Sequence, residues 1–276
     1  MRRLSLIAAI LSLFTTTHAF AQAEGASEGL QERMISVPLP RGTEIRGLVS
    51  KRVGTNPDHV ALLFVGSPGI LHLKEADGAP QYEMKGNFVA RARRHLNDGT
   101  VMTVLVDCPT DQWESCGPDY RRSAQHAEDV GALMAALTKE LGPVKFYVVG
   151  TSFGTVSTAN LARHLPVAGA VHTSSFAGSS KHTFETGMTG FDWSEAKVPQ
   201  LFVHHIGDPC SATPYRELKS AIGDLPLITV LGAKNPEGPA CEAYTEHGFR
   251  GREKDVMRAI AAWIANGTVT PQVGAP

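Results

Sequence analysis

A mostly parallel, doubly wound α/β sheet with helices on both faces follows from how short apolar runs alternate with longer periodic ones along this chain. Continuous β-branched and aromatic runs occupy residues 60–65, 101–106, 145–149, 167–172, 200–205 and 226–231. Strands covered on both faces read this way, without polar alternation. Between them, Ala127, Val130, Met134, Leu137 and Leu141 repeat at helical spacing and mark residues 123–141 as a helix. At one strand-to-helix junction stands Gly150-Thr151-Ser152-Phe153-Gly154, where a serine between glycines is placed on a tight turn.

Taken in order, residues 32–37 and 44–52 form an antiparallel hairpin turning at Pro40-Arg41-Gly42. A strand at 60–65, a helix at 87–96 and a strand at 101–106 follow. The helix at 123–141 leads to a strand at 145–149, a helix at 155–164 and the sixth strand at 167–172. Residues 174–199 then make a small flap, too short for a lid domain. It carries Phe176, Phe184, Met188, Phe191 and Trp193 among glycines and polar residues. These aromatics either line an apolar acyl pocket or tuck onto the core. Strands at 200–205 and 226–231 precede a last helix at 253–266. That helix has Val256, Ile260, Trp263 and Ile264 on one face and Gly267 at its end.

The first two dozen residues stand apart. Arg2 and Arg3, an apolar stretch at 4–14 and Ala19-Phe20-Ala21 are the three parts of an export signal, and the stretch is too short to span a bilayer. The expected organisation is a signal peptide at 1–21, a flexible segment at 22–31, one domain at 32–267 and a loose tail at 268–276. A bacterial periplasm or exterior follows as the compartment. There, the even count of 4 cysteines favours disulfides. Pairing by neighbourhood gives Cys108–Cys116 and Cys210–Cys241, the alternative being small buried thiols. With a net charge of −1 and no basic stripe, nucleic acid and anionic membrane surfaces are poor partners, and no stable membrane anchor is expected.

With 27 glycines, a G-x-S-x-G pentapeptide arises by composition in roughly one such chain in six, so its partners must decide. An acid and a histidine follow in order. Asp208 comes just after the strand at 200–205, and His247 lies in the loop after the strand at 226–231. Both positions fall at the carboxyl edge of a parallel sheet, where open α/β folds bind ligands. Ser152, Asp208 and His247 are therefore the candidate nucleophile, acid and base. Asp192 and Glu242 are reserve acids. Asp107 precedes the nucleophile, and His172 reads as a core or rim residue. His204 and His205 are adjacent on a strand, so they point to opposite faces and make a poor metal pair. They are expected to pack or to face solvent, and no metal or cofactor is required.

On these residues the chain resembles the α/β-hydrolases, from about residue 33 to 266. Within them it is similar to small secreted bacterial hydrolases of undefined substrate. These carry a G-T-S-x-G elbow, a strand ending near HH-x-x-D (here His204 to Asp208) and a C-E-A…H-G-F segment. The last is Cys241-Glu242-Ala243 with His247-Gly248-Phe249. The resemblance implies an oxyanion hole built from the backbone N–H of Phe153 and one from the loop Gly66-Ser67-Pro68-Gly69. Pro68 has no N–H and biases Ser67 toward extended geometry, so Ser67 is the second donor. Many relatives begin this loop with His-Gly where this chain has Val65-Gly66, a departure that removes a histidine but no donor.

The expected activity is hydrolysis of small carboxylic esters through an acyl-enzyme, with Phe176, Phe184 and Trp193 as candidate substrate contacts. The same triad could serve a peptidase, thioesterase or acyltransferase, or the fold could be a catalytically silent binding protein.

Overall fold

The structure, a computed structural model, describes residues 26–178 and 186–275. Strands β1 (Leu30–Pro38) and β2 (Glu44–Arg52) form the expected hairpin, with Leu30 opposite Arg52 and Pro38 opposite Glu44. Strand β3 (His59–Phe64) is followed by a ribbon of β4 (Lys74–Ala76) and β5 (Ala79–Gln81), then helix α1 (Phe88–Leu96) and strand β6 (Val101–Val106). A short helix α2 (Pro118–Arg121) leads into α3 (Ala124–Leu141), whose N-terminal backbone N–H at His126 is capped by the Ser123 hydroxyl at 3.1 Å. Next come β7 (Lys145–Thr151), α4 (Gly154–His164), β8 (Gly169–Thr173), β9 (Gln200–His205), α5 (Tyr215–Ile222), β10 (Leu227–Val230), α6 (Glu253–Asn266) and β11 (Gln272–Val273).

The main sheet has nine strands in the order β1-β2-β6-β3-β7-β8-β9-β10-β11. Only the β1/β2 and β2/β6 pairings are antiparallel. Alternate residues of β3 divide between two cores. Ala61 and Leu63 pack toward α1 and α6, with Phe88, Leu96, Ile260 and Trp263. Val60, Leu62 and Phe64 pack toward α3 and α4, with Val130, Leu133, Leu137 and Leu161. This period-two division is why the central strands had to be apolar throughout.

Because β3, β7, β8, β9 and β10 run parallel, the loops that follow them leave the same edge of the sheet. Those loops carry Gly66 to Gly69, Ser152, Ser174, Asp208 and His247.

Residues 268–276, expected as a loose tail, contain β11. Val273 is buried, the Thr229 N–H donates to the Pro271 carbonyl at 3.0 Å, and the Leu231 N–H to the Val273 carbonyl at 2.9 Å. The segment supplies partners that the outer edge of β10 would otherwise lack. The export signal expected at 1–21 lies outside the described residues, as does Phe184. Among the described residues, no helix is long and apolar enough to cross a membrane.

Candidate active site

Ser152 sits between β7 and α4 with φ +51°, a left-handed conformation uncommon for a residue with a Cβ. The glycines around it are required by contact. A Cβ on Gly150 would lie 2.5 Å from the Gly154 carbonyl oxygen, and one on Gly154 would collide with the Phe64 carbonyl of β3. The turn is held by the Ser152 N–H donating to the Thr173 carbonyl at 2.9 Å and the Thr155 hydroxyl donating to the Ser152 carbonyl at 2.6 Å.

The loop after β3 passes directly against the serine, since a Cβ on Gly66 would stand 3.4 Å from the Ser152 Cβ. Ser67 next to it is exposed. Phe153 caps the start of α4, where first-turn N–H groups have no partner inside the helix.

Asp208 and His247 come together. His247 Nδ1 lies 2.9 Å from Asp208 Oδ2 and 3.2 Å from Oδ1. The same carboxylate accepts from the Cys210 N–H at 2.9 Å, the Thr213 hydroxyl at 3.1 Å and His204 Nε2 at 3.0 Å. Burial alone would push the Asp208 carboxyl up. The hydrogen bonds from His204 and His247 outweigh it and hold the group well below the usual carboxylate range.

With an ionised carboxylate at Nδ1, that nitrogen carries the proton and Nε2 keeps its lone pair. Nε2 is buried and has no partner among the described residues. The Ser174 hydroxyl donates to the His247 carbonyl at 2.6 Å, so Ser152 and His247 are both tied to the dipeptide Thr173-Ser174.

The loop bearing His247 is pinned from several sides. The Thr245 hydroxyl accepts from the His247 N–H at 3.1 Å, and the half-buried Arg91 donates to the Gly248 carbonyl at 2.6 Å. A disulfide joins Cys210 in the acid loop to Cys241 in the histidine loop, with Cα atoms 4.5 Å apart. A second joins Cys108 to Cys116.

His204 packs, as one of its two expected placements had it, but with a hydrogen-bonding role that was not expected. It is fully buried, and its Nε2 also donates to the Thr213 carbonyl at 2.9 Å, so it packs on the acid and does not merely fill space. Sequence reasoning missed it, together with Thr213. The spacing of His204 and Asp208 across a tight turn was the available signal. His205 faces the other way, with Nδ1 accepting the Gly207 N–H at 3.0 Å.

The reserve acids are elsewhere. Asp192 Oδ1 accepts from the Ser194 N–H at 2.8 Å on the exposed surface, and Glu242 is exposed. Asp107 is occupied by the N–H groups of Leu71, Leu73 and Cys108. His172 is a core residue between Thr158 and Gln200, and burial lowers it to about 3.

Phe176 and Trp193, expected as substrate contacts, instead pack into a core with Val156, Ala159, Phe202 and Leu218. Trp193 meets His172, Phe191 and Phe202 in tilted and edge-to-face contacts, which leave it little surface for a ligand. Large rings so close to the sheet gain more from full burial than from walling an open pocket. Among the described residues, no group of three or more His, Cys, Asp or Glu could hold a metal ion.

No family model matches the sequence, and no curated protein matches it. Solved structures do match the fold. A lidless α/β serine hydrolase from Xanthomonas campestris superposes with a TM-score of 0.56 at 13% identity, covering 86% of this chain and 93% of that one. A dienelactone hydrolase from Anabaena variabilis gives 0.55 at 15% identity, over 85% and 97%. A fungal esterase from Rhizomucor miehei gives 0.57 at 13%, over 89% and 85%. Strand order, elbow and these superpositions agree: the chain has the α/β-hydrolase fold.

Proposed function

We propose that the protein is an exported serine hydrolase that cleaves small carboxylic esters, with Ser152, His247 and Asp208 as its triad. The observation that carries this reading is the hydrogen bond from His247 to a carboxylate held ionised by four donors. It leaves the buried Nε2 of His247 without a partner among the described residues and open to accept a proton.

Ser152 Oγ bonds to the acyl carbon as its proton passes to Nε2 and the carbonyl π pair moves onto oxygen. The oxyanion is received by the N–H groups of Phe153 and Ser67. Its collapse breaks the ester C–O bond, and the leaving alkoxide takes the proton from His247. Water then repeats the sequence on the acyl-enzyme, releasing the acid. Asp208 fixes the imidazole tautomer and stabilises its positive form.

Esterases, a dienelactone hydrolase and a serine hydrolase among the similar folds support ester chemistry. A short flap whose Phe176 and Trp193 are drawn into the core favours short acyl chains. Two disulfides fit an oxidising compartment.

The test is a panel of p-nitrophenyl esters of increasing chain length beside matched anilides and thioesters, run on wild type and Ser152→Ala. Acetate and butyrate should be hydrolysed fastest, and the variant should lose several orders of magnitude. Faster anilide or thioester turnover would redirect the assignment. Equal rates in both proteins would leave a binding protein on a hydrolase fold.

A further inference from the structure

Among the described residues two arginines are buried, and they are treated differently. Arg93 faces a carboxylate, with its Nε 2.9 Å from Glu32 Oε1. Arg121, at the end of α2 and 2% exposed, has only neutral ligands. Its Nε donates to the Cys116 carbonyl at 2.9 Å, one terminal nitrogen to the Ser157 hydroxyl of α4 at 2.9 Å, and the other to the Gly69 carbonyl at 3.3 Å.

Burial without a partner charge is costly, so neutral ligands around a cation require a reason. Its position supplies one. The guanidinium carbon lies 4.9 Å from the centre of the Phe153 ring, on the residue after Ser152. Gly69 ends the loop that bears Ser67, and a Cβ there would collide with the guanidinium. Arg121 thus touches both segments from which the oxyanion donors come.

Asp107 and His126 face it across a small cavity of about 10 Å³ that Ser157 also lines, and neither Asp107 nor any other described carboxylate makes an ion pair with it.

We propose that Arg121 is a positioning residue for acyl transfer: a buried cation, held by neutral ligands behind the oxyanion site, that fixes the two donor segments and favours the negative tetrahedral state. This rests on the serine hydrolase reading. A nearby fixed charge in a water-poor site acts on the charge that develops in the transition state and little on the neutral ester, so kcat should respond and KM should not.

Burial lowers the Arg121 guanidinium only to about 10, so it stays charged wherever the enzyme works. A lysine in the same place keeps the charge but loses its proton readily. Asp107, Tyr120 and His126 are the titratable groups facing that position.

The experiment compares wild type, Arg121→Lys and Arg121→Gln on a short p-nitrophenyl ester. It measures kcat and KM from pH 6 upward, the binding of an alkyl boronic acid that forms an anionic adduct with the serine, and the melting temperature. Arg121→Gln should lose about 10- to 100-fold in kcat and in boronate affinity together, with KM little changed. Arg121→Lys should stay within a few-fold of wild type near pH 6, then lose kcat as pH rises while remaining folded. That alkaline limb decides the matter even if Arg121→Gln does not fold.

Equal kcat in the two variants, no alkaline limb in Arg121→Lys, or unfolding of both would overturn the proposal and leave Arg121 a structural residue. A wild type that neither labels with a fluorophosphonate nor turns over esters would overturn the hydrolase reading, and this inference with it.

Discussion

Four donors converge on the Asp208 carboxylate, from Cys210, Thr213, His204 and His247, three of them side chains. Across the same site Ser152 is fixed mainly through main-chain groups, and its surroundings are shaped by what is missing, the Cβ atoms of Gly66, Gly150 and Gly154. The two regions solve different problems. A proton carrier must be held in one tautomer and one orientation, which directional hydrogen bonds can do redundantly. A nucleophile beside backbone donors needs close approach of three chain segments, which one methyl group would prevent. The acid side should therefore lose function gradually as donors are removed, and the nucleophile side abruptly.

The largest expected effect on the acid side comes from changing the acceptor itself. Asp208→Asn should lower kcat by about 10³- to 10⁴-fold, because the amide no longer selects the imidazole tautomer. A steady-state assay showing less than tenfold loss would mean that another acid holds His247.

On the nucleophile side, Gly154→Ala adds one methyl against the Phe64 carbonyl. It should destabilise by about 1–3 kcal/mol and remove most activity per folded molecule, read from calorimetry and active-site titration together. Full activity with an unchanged melting temperature would show that the turn has more room than the contacts imply.

Removing a single donor from Asp208 sharpens the same contrast. His204→Gln should cost only about tenfold in kcat, since Cys210, Thr213 and His247 remain, and Thr213→Val should behave alike. The double variant should lose more than the product of the two if the donors back one another up. Simple additivity would argue that they act independently.

Replacing Cys210 and Cys241 with serine opens a crosslink spanning 31 residues. In the chain-entropy model it stabilises by about 3–4 kcal/mol. The double variant should lose kcat several-fold in a steady-state assay of molecules that are still folded, because the crosslink joins the loops bearing Asp208 and His247.

One further effect falls on stability alone, away from the site. Burial lowers His126 and His172 to about 3, well under the unfolded value near 6.5. Between those pH values the unfolded chain binds the extra protons. Their contribution is thus complete above about pH 6.5 and is lost as pH falls toward 3, with a slope of about 1.4 kcal/mol per pH unit for each histidine. Denaturant titrations at several pH values should show the slope, and His172→Phe should remove about half of it.

Much of this was legible in the sequence because it rests on local pattern. β2, β6, β9 and α6 fall on the residues that their apolar runs mark, and α3 begins one residue later, at its Ser123 cap. That Asp208 and His247 would meet could be read from their places at strand ends. What escaped depends on distant contact. α5, of only 8 residues between Pro214 and Gly223, carries too short an apolar repeat to mark a helix. The tail reads as unstructured by composition, yet pairs along β10 where an open edge waits for it. His204 and Arg121 look ordinary in sequence, and only the fold puts one on Asp208 and the other against Phe153. Phe176 and Trp193 were readable as aromatic but not as buried, since that choice belongs to the packing around α4.

The central claim is that Ser152 is an activated nucleophile. Protein incubated with a fluorophosphonate, digested and mapped by mass spectrometry, tests it most directly. One adduct per chain on the peptide containing Ser152, absent from Ser152→Ala and strongly slowed in His247→Ala, is the predicted result. No adduct, or one on Ser67 or Ser174 with Ser152 unmodified, would contradict it.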